Sequence, residues 1–164
     1  MGVGVSGIAA VTILVSDLAR STRWYRDVLG LTVIREFAVD GALWGVVLLD
    51  TDANFVFVLQ DKGTAPGVQD LRGTRPVVLA APSHASVENT AERLRDMALS
   101  PRGPVTDPDG TFVDVTDPDG IILRFRHVPD DVSLGFQGVS YSADGSVVGT
   151  YDSPRLQTPP RDGS

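Results

Sequence analysis

Arg124, in the run ILRFRH, and the two histidines, His84 and His127, are the side chains with the most obvious chemical capacity in a chain that has no cysteine. Arg124 lies among Ile122, Leu123 and Phe125, so its guanidinium is expected to be withdrawn from water and to need an offsetting partner. Two kinds of partner answer. One is an internal acid such as Asp114 or Glu36. The other is the carboxylate, phenolate or carbonyl of a bound organic molecule, which a planar guanidinium can meet bidentately. His84 precedes a helical pattern and His127 ends a strand-like one, places where an imidazole reads as an exposed polar group. Gln60, at the end of NFVFVLQ, reads as structural. The acidic turns DTDA (50–53) and DPDG (117–120) lack the continuing oxygen spacing of a calcium loop and read as hairpin turns. Absence of cysteine excludes disulfides, thiol catalysis and thiolate metal sites.

The elements that carry these groups begin with Val11–Leu31, VTILVSDLARSTRWYRDVLGL. Val11, Ile13 and Val15 alternate with Thr12 and Leu14, the pattern of a strand with one face against a helix. Asp17 is the expected N-cap of the following helix, whose apolar side is Leu18, Tyr25, Val28 and Leu29, and Gly30 is its left-handed stop. LTVIREF, ALWGVVLLD and NFVFVLQ then read as strands, giving strand–helix–strand–strand–strand over residues 8–60. A polar, Gly-rich stretch over 61–74 separates this unit from a second over 75–127. There PVVLAA is a strand, 86–98 a helix with Val87, Ala91, Leu94 and Ala98 on its apolar side, and three short strands follow. Arg26-Asp27 recurs as Arg95-Asp96, an offset of 69 that makes Ser86 the second helix cap; the acidic turns recur at an offset of 67, from Asp50 to Asp117. The pattern is an internal duplication. Residues 128–164 form an extension in which GVSYSADGSVVGTY (138–151) reads as a hairpin and 156–164 as a disordered tail.

Composition sets outer bounds. Hydrophobic residues are 42% and charged residues 21%, a globular balance, and 164 residues suffice for one domain with a real core. A net charge of −7 argues against nucleic acid as a partner, since phosphate binding needs a concentrated basic surface. No apolar run reaches membrane-spanning length, and the first residues lack the basic start of a signal peptide. No membrane partner and a cytoplasmic location are therefore expected.

The phrases V-S-D-L-x-R-S, W-Y-R-D-V-L-G-L and DPDGIILRF together resemble the glyoxalase/bleomycin-resistance/dioxygenase superfamily, the vicinal oxygen chelate proteins, over residues 8–127. The resemblance implies an α+β fold in which two tandem βαβββ modules curl into a cup, with helices outside and a ligand site in the concavity. It also implies a homodimer. In metal-using members one His, Glu or Gln stands at each of four inward positions. The family pattern places the first and fourth at Ala10 and Arg124, and the two offsets place the others at Leu79 and Phe57. None of these side chains, nor their immediate neighbours, offers a lone pair to a divalent cation. No metal and no cofactor are expected.

The same alignment nominates Ala10, Thr12, Phe55, Phe57, Leu79, Ile122 and Arg124 as the cup lining, with Trp44 as a further wall: an apolar, aromatic pocket with one polar anchor. On that geometry a ligand is the favoured partner of Arg124. The expected function is metal-free binding, by sequestration or carriage, of a small aromatic or natural-product molecule, as in the superfamily's drug-sequestering resistance proteins. The alternative is a metal-independent lyase, isomerase or cyclase with Arg124 as anion stabiliser and Asp114 the only nameable base. A metal-dependent glyoxalase or dioxygenase fits less well.

Overall fold

The structure, a computed structural model, describes residues 3–67, 70–130 and 136–156. The linker residues 131–135 and the tail from 157 onward lie outside the described residues. The first module runs β1 (Val11–Val15), α1 (Leu18–Leu29), β2 (Thr32–Val39), β3 (Ala42–Asp50) and β4 (Phe55–Asp61), and a single 3-10 turn at Lys62–Thr64 follows. The second runs β5 (Val77–Ala80), α2 (His84–Asp96), β6 (Arg102–Asp107), β7 (Gly110–Thr116) and β8 (Ile122–His127). Their sheets have the same order, β1-β4-β3-β2 and β5-β8-β7-β6, with β1 and β5 parallel to their neighbours and the remaining pairs antiparallel. This is an α+β fold of two βαβββ modules. β9 (Gly138–Tyr141) and β10 (Val147–Tyr151) form a separate antiparallel ribbon.

The caps show why each helix starts where it does. The Asp17 carboxylate accepts from the Arg20 N–H at 2.9 Å, and Gly30 takes the left-handed φ of 70° that returns its own N–H to the Arg26 carbonyl. The second helix corrects the expectation placed on Ser86. Its N-cap is Ser83, whose hydroxyl oxygen accepts from the Ser86 N–H at 3.1 Å, so the helix begins at His84 and ends at Asp96. Ser86 sits three residues inside, within hydrogen-bond reach of the Ser83 hydroxyl at 2.8 Å.

That shift exposes the true repeat. Val11 pairs with Phe57 as Val77 pairs with Leu123, and Asp17 caps as Ser83 caps, an offset of 66 at every point. The offsets of 69 and 67 follow a chance recurrence of Arg-Asp and the differing lengths of the turns. Both differ from 66 by an odd number, which in a strand exchanges the two faces of a sheet.

One face of each sheet is covered by its helix, and these faces merge into one core. Ile13, Val15, Tyr25, Leu48, Phe57 and Leu59 from the first module join Val77, Val87, Ala91, Leu94, Val113, Val115 and Leu123 from the second. The modules are also joined by polar contacts made by the phrases that carry the resemblance. The Tyr25 hydroxyl donates to Asp117 at 2.8 Å, and the other Asp117 oxygen accepts from the N–H groups of Asp119 and Ile121. Asp119 accepts from the Ser16 N–H and lies 3.5 Å from the Lys62 ammonium. Burial, and then the neighbouring Asp117 carboxylate, push the Tyr25 hydroxyl up from its ordinary value; burial likewise raises Asp117.

Candidate functional site

Strand alternation and pairing register sort the residues of each sheet by face. In the second sheet Val113, Val115, Leu123, Val77 and Leu79 point to the helix side. Phe112, Asp114, Ile122, Arg124, Arg126, Val78 and Ala80 share the opposite, concave face. On that face Asp114 stands directly across from Arg124, Phe112 across from Arg126, and Arg102 of β6 across from Asp114.

Two bidentate ion pairs cross this surface. Arg124 donates from Nε and Nη2 to the two oxygens of Asp114 at 2.7 and 2.8 Å. Arg126 donates from Nη1 and Nη2 to Asp107 at 2.7 and 2.8 Å. Between them lies Phe112, its ring centroid 3.4 Å from the Arg124 guanidinium carbon and 4.9 Å from that of Arg126. The hydrogen bonds from Arg126 hold the Asp107 carboxyl below its ordinary range against the opposing effect of burial, and the same bonds raise Arg126.

The C-terminal ribbon closes one side. Tyr141, Asp144, Gly145, Ser146 and Val147 face Phe112, Arg124 and Arg126 across a cleft of about 750 Å³, with Arg75, Arg102 and Val105 completing the walls. The arrangement is a guanidinium–aromatic platform on a rigid sheet, open to solvent on one side, and it suits a flat molecule that stacks and accepts hydrogen bonds.

The expected lining is only partly brought together here. Arg124, 9% exposed, is in the cleft, and Ile122 shares its face. Ala10 and Thr12 are exposed at and before the start of β1, Thr12 on the face away from the core. Phe57 is corrected: it is 1% exposed and packs on Tyr25 beneath α1, at a ring separation of 5.7 Å. Phe55 and Leu79 are also on the helix side, where they line a smaller cleft of about 260 Å³ between the modules with Val28, Leu94, Met97 and Phe125. Trp44 stacks on Phe37 at 5.0 Å and borders a third cleft with Val39, Leu43 and Gln60. The odd offset is the cause. With 66, the positions equivalent to Ala10 and Arg124 in the other module become Pro76 and Val58 rather than Leu79 and Phe57.

The lining itself also differs from an apolar pocket with a lone anchor. Four arginines and the acids Asp107, Asp109 and Asp144 surround the cleft. Phe112 and Arg126 were legible as strand residues, but their role rests on the cross-strand pairing. Asp107 reaches Arg126 from a strand whose register shifts between Arg102 and Val105, so alternation alone does not find that pair.

The four positions that the resemblance marks for metal ligands become Ala10, Val58, Pro76 and Arg124. These supply no imidazole, carboxylate or amide, so the donor set does not fit a divalent cation. Among the described residues no group of three or more His, Cys, Asp or Glu could hold a metal ion. The histidines make local contacts: His84 reaches Thr111 and Glu88, and His127 the Ala81 carbonyl. Gln60 donates to Thr64. Asp114, the only base nameable from the sequence, has both oxygens engaged by Arg124. Among the described residues no helix is long and apolar enough to cross a membrane.

No curated protein matches the chain. Among solved structures it is similar to TnmS3, an antibiotic binding protein from Streptomyces sp. CB03234, at 20% identity and TM-score 0.62, covering 78% of this chain and 100% of that one. Lactoylglutathione lyase from Agrobacterium tumefaciens is similar at 19% identity and TM-score 0.60, with 74% and 93% covered. The fosfomycin resistance protein FosX from Listeria monocytogenes is similar at 15% and TM-score 0.60, with 80% and 100% covered. Likeness at these identities shows the fold, which the three share across different printed descriptions. The model of one family matches residues 7–125, and the chain therefore belongs to the Glyoxalase/Bleomycin resistance protein/Dioxygenase superfamily.

Proposed function

We propose that this chain is a cytoplasmic, metal-independent binding protein that sequesters or carries a small aromatic or natural-product molecule. Its site is the cleft between the concave face of the second sheet and the C-terminal ribbon. The observation that carries this reading is the Phe112 ring held between two paired guanidiniums at the base of a cleft of about 750 Å³. Small-molecule pockets are roughly 300–1,000 Å³, and the ion pairs fix the platform before any ligand arrives. The positions that would hold a metal in metal-using members carry side chains without a lone pair to offer a cation. Enzymes and an antibiotic binding protein share the fold, and the commitment of Asp114 to Arg124 favours binding over proton abstraction.

A homodimer accompanies the proposal. Val78, beside Arg124 on the concave face, is 55% exposed, and Ile34, Val39 and Leu43 are exposed on the β2–β3 edge of the other sheet. A second copy would cover such apolar surface. A light-scattering mass of two chains at micromolar concentration is expected; a mass of one chain would contradict it.

The binding reading is tested by titrating the full chain with the flat, neutral fluorophore N-phenyl-1-naphthylamine in the presence of EDTA. Saturable binding that Val105→Trp obstructs is expected. No saturable binding, or binding that requires added zinc, manganese or iron, would overturn it.

A further inference from the structure

We propose that this cleft selects organic anions, and that Arg102 and Arg75, not Arg124, receive the acidic group. The inference rests on the binding reading above and adds the charge class of the ligand and the residues that read it.

The cross-strand row Arg102–Asp114–Arg124 places two guanidiniums on either side of one carboxylate on the concave face. Arg124 occupies both oxygens of Asp114, and Arg126 occupies both oxygens of Asp107. Four arginines line the cleft, and two of them are thus already committed. Arg102 and Arg75 are exposed and make no ion pair among the described residues.

Neither of the remaining acids, Asp109 and Asp144, forms an ion pair with them among the described residues. Asp109 lies in the turn after β6, at the opposite end of that strand from Arg102, a separation of about 15 Å or more at strand spacing. It acts there on Arg126. Asp144 is tied into the ribbon's own turn, where it accepts from the Ser142 hydroxyl and the Ser146 N–H. Arg75 precedes β5 on the side of the sheet where β5 meets Leu123 and Arg124, the same end as Arg102. The two unpaired guanidiniums thus stand toward one end of the sheet, beside its two edge strands β5 and β6, with Asp109 toward the other end and Phe112 between. A ring lying over Phe112 with its carboxylate, sulfonate or other oxyanion toward Arg102 and Arg75 matches both features.

The test compares two probes that differ only by the charged group, 8-anilinonaphthalene-1-sulfonate and N-phenyl-1-naphthylamine, by fluorescence titration of the full chain. The wild-type chain should bind the sulfonate more tightly. Arg75→Gln with Arg102→Gln should weaken the sulfonate about tenfold, as two exposed charge contacts together allow, and change the neutral probe by less than about twofold. Arg102→Lys should recover part of the loss, and both arginines are exposed, so the thermal midpoint should not move. An unchanged sulfonate affinity, or equal losses for both probes, would overturn the anion assignment while the neutral probe's binding still upholds the cleft. Failure of the wild-type chain to bind either probe would overturn the cleft reading and this inference with it.

Discussion

Arg124 and Asp114 face each other across β7 and β8 as direct cross-strand partners, and their side chains close a two-bond fork, 2.7 and 2.8 Å long, on the concave face. Both side chains are about nine-tenths buried. A charge so enclosed is tolerated because its partner is equally fixed.

Removing one member should therefore be costly. Arg124→Ala is expected to destabilise the fold by about 3–5 kcal/mol in urea denaturation, because it leaves the Asp114 carboxylate buried and uncompensated. The double change Arg124→Met, Asp114→Leu should regain most of that loss. An unaltered urea midpoint for Arg124→Ala would contradict the pairing.

The second pair adds a pH dependence of known sign. Asp107 is held below its ordinary value of 3.8, so the folded state binds its proton less tightly than the unfolded state. The stabilisation is present above that ordinary value and is lost as pH falls through the depressed one. Arg126 is raised above its ordinary value, so its share is lost only at more alkaline pH than proteins usually meet. Urea midpoints should fall as pH is lowered through and below the ordinary carboxyl value of 3.8, and Asp107→Asn should flatten part of that fall. An acid limb identical in the variant would exclude this pair as a contributor.

At the module junction, Tyr25→Phe should cost about 1–3 kcal/mol, the penalty of leaving a buried acceptor of Asp117 without its donor. The hydroxyl is the only atom removed and Tyr25 is fully enclosed, so packing is preserved. Thermal denaturation gives the number, and a shift indistinguishable from zero would show that the bond contributes nothing.

The ribbon's part is separable from stability. Tyr141 and Val147 border the cleft yet remain 51% and 41% exposed. Tyr141→Ala with Val147→Ala should weaken N-phenyl-1-naphthylamine several-fold, by roughly 1 kcal/mol of lost apolar contact, and leave the thermal midpoint in place. Unchanged affinity would remove the ribbon from the site.

Much of the fold was written locally. Asp17 and Gly30 bound the first helix because a carboxylate cap and a left-handed glycine act within a few residues of themselves. The alternation of Val11, Ile13 and Val15 likewise marks the buried face of β1. What depended on counting between distant segments failed by parity. Arg-Asp at 26–27 and 95–96 suggested 69 and the acidic turns 67, whereas β1 and β4 recur as β5 and β8 at 66, and the odd errors carried Leu79 and Phe57 to the wrong side of their sheets. Arg124 was legible as a group that needs a partner, and Asp114 was one of the two acids named for it. That a single carboxylate takes the whole guanidinium depends on the β7–β8 register. The position of the ribbon over Phe112 depends on tertiary docking, for which residues 138–151 carry no local signal.

The central claim, a ligand site over Phe112 on the concave face, is tested most directly by mapping backbone amide chemical shifts as N-phenyl-1-naphthylamine is added in the presence of EDTA. The account predicts saturable shifts clustered at Phe112, Arg124, Arg126, Tyr141 and Val147. Shifts confined instead to Phe55, Leu79, Leu94 and Met97 in the cleft between the modules, or to Trp44 and Leu43 on the first sheet, would contradict it.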